Sequence, residues 1–184
     1  MKEPTYLPLL NSIAVNESKG EVLLKAWAET TSDAELAAAL QFVAIREGEH
    51  AWAFTKRMCE LGYPVCEETA FQFFKDFDEI VEFVKSDASD AEKVARLTGD
   101  RGNDESARDP FSNFFDDKSI DPQTGGLLGR YIAEERDSGR RLQVEYDRIC
   151  AGAPQSNSEL QELQACVAAL REEVAELKKI RSVA

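Results

Sequence analysis

Histidine is nearly missing from this chain of 184 residues: there is one, His50, so any chemistry that draws on imidazole has to draw on it. Cysteine is sparse too. Cys59, Cys66, Cys150 and Cys166 form no Cys-x-x-Cys pair, which excludes a zinc ribbon or a four-cysteine iron centre and leaves free thiols in a reducing compartment as the expectation. No apolar run approaches a membrane span, and Met1-Lys2-Glu3-Pro4 lacks the charged-then-apolar pattern of a signal peptide, so a cytoplasmic protein with no membrane partner is expected. Positive charge is short as well. With 22 Lys and Arg against 35 Asp and Glu the net charge is -13, which argues against nucleic acid and suits a protein that attracts cations.

What the chain does contain is helical periodicity with acids in the wrong place. Leu36, Leu40, Val43, Glu47, His50, Phe54 and Leu61 follow at steps of three, four or seven, the spacing of one helix face. Glu47 and His50 thus stand in a line of core residues. Leu10, Ile13, Glu17, Gly20, Leu24 and Trp27 repeat the pattern, and Leu128, Tyr131, Glu135, Ser138, Leu142 and Ile149 repeat it again. A bare carboxylate in an apolar interior costs several kcal/mol or takes up a proton, so three such glutamates call for a cation. A Glu-x-x-His pair aimed inward from a helix is one way to hold a metal ion.

The order of elements follows from caps and breakers. A first helix is expected from Leu7 to Thr30, with Ser32 or Asp33 capping a second that runs to Leu61 and stops at Gly62. So short a turn makes the two antiparallel neighbours and brings Glu17 level with Glu47. Between Val65 and Thr98, Phe71, Phe73, Phe74, Phe77, Ile80, Val81, Phe83 and Val84 read as a connecting helix and Ala91 to Leu97 as the next, although one long bent helix also fits. Glu92, Asp87 and Glu82 are the acids on this stretch that could face inward. A polar loop opens at Thr98, and Asp121-Pro122 starts a last long helix that runs to Cys150. All of this describes an all-α domain over residues 1–150. Residues 151–158 read as a linker. Over residues 159–182 a heptad repeat has Leu160, Val167 and Val174 at a and Leu163, Leu170 and Leu177 at d, the pattern of a parallel two-stranded coiled coil and hence of a homodimer; a fifth helix packed on the domain is the alternative.

Glu17, the run Ala44 to Ala51 with Glu47-Gly48-Glu49-His50, the segment Arg57 to Gly62 and Ile132 to Ser138 together resemble the ferritin-like superfamily, in particular rubrerythrins and small bacterial ferritin-like domains. The resemblance implies a ferritin-like four-helix bundle holding one or two iron or manganese ions, which reacts with oxygen or peroxide or oxidises iron, and an external electron donor. It also implies roles: Glu17 a terminal ligand, Glu47 a bridge, His50 the nitrogen ligand, Glu135 the matching carboxylate and Glu92 a fourth. The second half departs from the family's pattern, because Ser138 stands where a second Glu-x-x-His would place its imidazole, so the second ion is weaker, absent or completed by water. The alternative is a bundle that has lost its metal and serves as an assembly protein through the tail. For the tail, removing residues 155–184 is expected to convert a dimer into a monomer; an unchanged mass in light scattering would retire the coiled coil.

Overall fold

The structure, a computed structural model, describes residues 3–73, 76–99 and 111–152; the whole expected heptad segment 159–182 and most of the expected linker lie outside the described residues. The chain divides into a unit over residues 1–150 and a second over 151–184. Within the described residues there are five α-helices and one 3₁₀ turn and no strand: α1 (Leu7–Ala28), α2 (Ala34–Glu60), the 3₁₀ turn Glu67–Thr69, α3 (Phe77–Lys85), α4 (Asp90–Thr98) and α5 (Pro122–Gly152). None of them is long and apolar enough to cross a membrane. Cys59, Cys66 and Cys150 are free thiols.

The α1–α2 hairpin forms as its caps dictate. Asp33 accepts from the backbone N–H groups of Glu35 and Leu36, satisfying donors that the first turn of α2 leaves open. At the other end Gly62, at φ +87°, takes the left-handed conformation that ends a helix cheaply only for glycine. α5 is tied to both ends of this hairpin. Near its start Asp121 accepts from the backbone of Gln123 and Thr124, from Arg57 at 2.9 Å and from the Tyr6 hydroxyl at 2.7 Å. Near its end Arg148 donates to both carboxylate oxygens of Asp33, at 2.6 and 2.8 Å. α5 therefore runs antiparallel to α2 and in the same direction as α1.

Two helices pointing the same way need a long crossover, and its first leg is unusual. The sequence predicts a helix around Phe71 and Phe73, but residues 66–73 pass along α1 outside any α-helix, extended at Cys66 and Ala70 on either side of the 3₁₀ turn, with Phe71 and Phe73 67% and 72% exposed. The cause lies on α1. Buried Asn11 donates to the Cys66 carbonyl and accepts from its N–H, both at 2.8 Å, and buried Asn16 does the same with the Phe71 carbonyl and the Phe73 N–H. The two side-chain amides stand in for a neighbouring strand, supplying backbone partners that a helix would have found within itself. The crossover then turns at the loop end of the hairpin into α3 and α4, two nine-residue helices separated at Ser86 to Ser89. Trp27 and Thr31 donate to Asp90, and Thr30 to the Val84 carbonyl, which docks both short helices there.

Apolar packing divides into two clusters. One, at the loop end, gathers Leu23, Trp27, Leu36, Leu40, Val43, Val84 and Val94; the other, near the start of α5, gathers Leu10, Ile13, Phe54, Met58, Leu128 and Tyr131. The glutamates of the helix stripes fall between the two. Replacing Asn11 or Asn16 by Ala strands backbone groups of the extended leg, and each is expected to lower unfolding free energy by about 1–3 kcal/mol in urea titration, with new proteolytic cleavage within 66–73; stability within error of the parent would show that the amides do not hold the leg.

Candidate metal centre

α1, α2 and α5 each deliver one side chain to a point between the apolar clusters. Glu17 comes from the middle of α1 and is 5% exposed; His50, from α2, is 4% exposed; Glu135, from α5, is partly buried. His50 Nδ1 lies 3.1 Å from Glu17 Oε2 and 3.2 Å from Glu135 Oε1, and one donor atom from each of the three residues falls within 4.8 Å of the others. The contact to Glu135 has ion-pair distance without hydrogen-bond geometry, so Glu135 Oε1 is buried with no hydrogen-bond partner among the described residues. Its companions are better held. The Tyr131 hydroxyl donates to Glu17 Oε1 at 2.8 Å, and His50 Nε2 lies 2.9 Å from Glu134 Oε2, whose other oxygen accepts from Arg130 at 2.9 Å.

Glu47, on α2, lies against α1 at Gly20. Its carboxylate occupies the space that a Cβ on Gly20 would need, and reciprocally the Glu21 carboxylate lies 2.8 Å from where a Cβ on Gly48 would stand. Burial, together with the nearby Glu17 and Glu135 carboxylates, pushes Glu47 up to about 10, so without a further cation it is a neutral acid at neutral pH. Burial also raises Glu135, only partly offset by His50 and Arg46. For His50, burial opposes the charged form, but Glu135, Glu17 and Glu134 outweigh it and hold the imidazole at about 10. Glu134 goes the other way: against burial, its bonds to His50 and Arg130 lower it.

Of the five ligand candidates, Glu17, His50 and Glu135 bring a donor atom together, while Glu47 is turned over Gly20 and is not one of that group. Glu92 is not in the group either. Its carboxylate accepts from the Ser89 backbone N–H at 2.8 Å while the Ser89 hydroxyl accepts from the Glu92 N–H, a capping box that opens α4 on the surface. Asp87 is exposed, and so is Glu82, whose nearest charge is Lys85 at 3.3 Å, so neither of these alternatives reaches the site. The carboxylate that sequence reasoning missed is Glu134. It is adjacent to Glu135, off the buried stripe, and Arg130 four residues earlier is the one sequence signal that it is held in place.

The donor set suits a divalent ion. Metal–ligand bonds of about 2.1 Å at right angles put neighbouring donor atoms about 3 Å apart, close to the separations of Nδ1 from the two carboxylate oxygens. Two carboxylates and one imidazole match hard or borderline ions such as iron(II) and manganese(II), and the orphaned Glu135 Oε1 gains a partner once such an ion is bound. A cleft of about 300 Å³, lined in part by Trp52, Lys56, Leu127 and Arg130, opens onto His50, Tyr131 and Glu134. Comparison of the chain with protein-family models, with curated proteins and with solved structures finds no match in any of the three.

The proton inventory gives a signed prediction for the metal-free protein. Glu47 keeps a proton from its ordinary 4.5 up to about 10 in the folded state, and His50 from 6.5 up to about 10. The folded chain binds more protons than the unfolded one throughout that window, so the contribution of both groups to stability is lost as pH rises through it. With chelator present the melting temperature is expected to fall between about pH 6 and about pH 9; a rise over the same interval would mean that the two groups do not carry those protons.

Proposed function

We propose that residues 1–150 form a ferritin-like bundle that holds iron or manganese and acts as a redox protein toward oxygen or peroxide, with an external electron donor. The observation that carries the reading is the convergence of Glu17, His50 and Glu135 from three helices on one dry point, with a buried carboxylate oxygen left unsatisfied. An iron(II) or manganese(II) ion there supplies Lewis acidity, a one-electron couple and open coordination positions for a small oxidant.

The chain's own residues divide the remaining work. Glu17 and Glu135 offer anionic oxygens and His50 its Nδ1 lone pair. Glu134 grips Nε2 from the outside, which fixes the ring and turns Nδ1 inward. Tyr131 holds Glu17 by its second oxygen and stands edge-on to His50 at 5.0 Å, placing a phenol beside the ion's position. Glu47, over Gly20, is a fourth carboxylate beside the site, and would add negative charge there once it gives up its proton. The apolar clusters above and below keep bulk water out, and the Trp52–Leu127 cleft is the way in.

A second reading, a metal-free assembly protein dimerised through residues 159–182, is favoured by one feature: an imidazolium at His50 would face three carboxylates at 2.9–3.2 Å and supply an internal cation. One experiment separates them. Protein purified without a chelating tag and loaded anaerobically with iron(II) is expected to hold stoichiometric metal that His50→Ala and Glu135→Ala abolish, while Glu134→Gln weakens it about 10–100-fold. Absence of bound metal after loading would leave the scaffold.

A further inference from the structure

We propose that Arg46 serves as a fixed second cation of this site and limits it to a single divalent ion, an inference that rests on the metal reading above. Arg46 precedes His50 by four residues, so the two lie on one face of α2 about 6 Å apart along its axis, and α5 answers each in turn. Glu134 and Glu135 meet His50; one turn on, Asp137 and Ser138 meet Arg46. The guanidinium is not free to leave. Its Nη1 donates to the Glu134 carbonyl at 3.0 Å, to Asp137 at 2.9 Å and to the buried Ser138 hydroxyl at 3.1 Å, and its flat face lies 4.7 Å from the Phe42 ring. Arg141 braces it by stacking on the same ring and sharing Asp137.

Three consequences follow for the space between Glu47 and Glu135, where a second ion would have to bind. A permanent positive charge is already pinned against the Glu134 carbonyl and the Ser138 hydroxyl, on either side of Glu135 along α5. Ser138, buried one turn beyond Glu135 on α5, has its oxygen engaged by Arg46 and offers no neutral nitrogen. Any ion placed there would also be one helical turn or less from the ion at Glu17, His50 and Glu135, so both the guanidinium and that ion repel it. The site is thus built for two positive groups, of which the protein brings one.

Manganese(II), titrated anaerobically and followed by calorimetry and elemental analysis, is the probe. Wild type is expected to bind one ion, Arg46→Lys one, and the double variant Arg46→Ala with Ser138→His two. Arg46→Met, which keeps length against Phe42 and drops the charge, is the companion if the double variant loses its helical circular dichroism, and is expected to bind a second equivalent at manganese concentrations at which wild type binds one. Two ions in wild type, or one in every charge-removing variant, overturns the proposal and leaves the metal centre standing. No ion in wild type removes the metal reading itself, and this inference with it.

Discussion

The fold depends on a charge that has nowhere to go. Glu17, Glu47 and Glu135 enter a space closed above and below by packed side chains, and carboxylates in such a place are tolerable only when each is neutralised or shares a cation. His50 joins α2 to the helices on both sides, with Nδ1 toward Glu17 and Glu135 and Nε2 toward Glu134. Removing it with no metal bound would leave buried acids from α1 and α5 facing one another without the cation between them. The remaining polar ties are placed as if to hold that meeting in register: Asp121 gathers Tyr6, Arg57 and the start of α5 at one end, and Asp33 holds Arg148 at the other.

Protons and a metal ion are alternative solutions to the same problem. In the protonated state Glu47 is neutral, His50 is an imidazolium, and the cluster is close to self-sufficient except for Glu135 Oε1. A divalent ion asks for the opposite: a free Nδ1 lone pair and ionised carboxylates, so its binding must expel protons and compete with them. The arrangement is therefore poised rather than indifferent. A purely structural salt bridge would pair each oxygen with a donor; here one imidazole nitrogen faces two carboxylate oxygens and can hydrogen-bond fully to only one.

The part of the site that could be read from the sequence is the part governed by helix periodicity. Glu17, Glu47, His50 and Glu135 each interrupt an apolar stripe, and a stripe is a local pattern with a period of 3.6 residues. Glu134 escaped because adjacent residues on a helix diverge by about 100°, and only the two opposed nitrogens of an imidazole let one ring meet both neighbours. Glu92 misled for a reason that was visible: Ser89-x-x-Glu92 before an apolar residue is a capping box, which holds the carboxylate at the helix start. The non-helical leg at Phe71 and Phe73 could not be read at all. What overrides its apolar pattern is Asn11 and Asn16, more than fifty residues earlier, and no local pattern reports a partner at that distance.

Gly20 decides whether the inward turn of Glu47 is incidental. A glycine in the middle of a helix costs about 1 kcal/mol relative to alanine, so α1 is weaker for carrying one there. What the space is used for is visible: a Cβ at position 20 would collide with the Glu47 carboxylate, and no smaller residue exists. Had Glu47 merely strayed inward, the helix face opposite would be expected to fill with a methyl group and push it out of that space. Instead backbone room is kept open for a fourth acid at a point already crowded with acids. A fold that gives up helix stability to admit a carboxylate among carboxylates has that charge as part of its design, and the cation that makes it bearable, whether His50 and Arg46 alone or with an ion between them, is part of the same design.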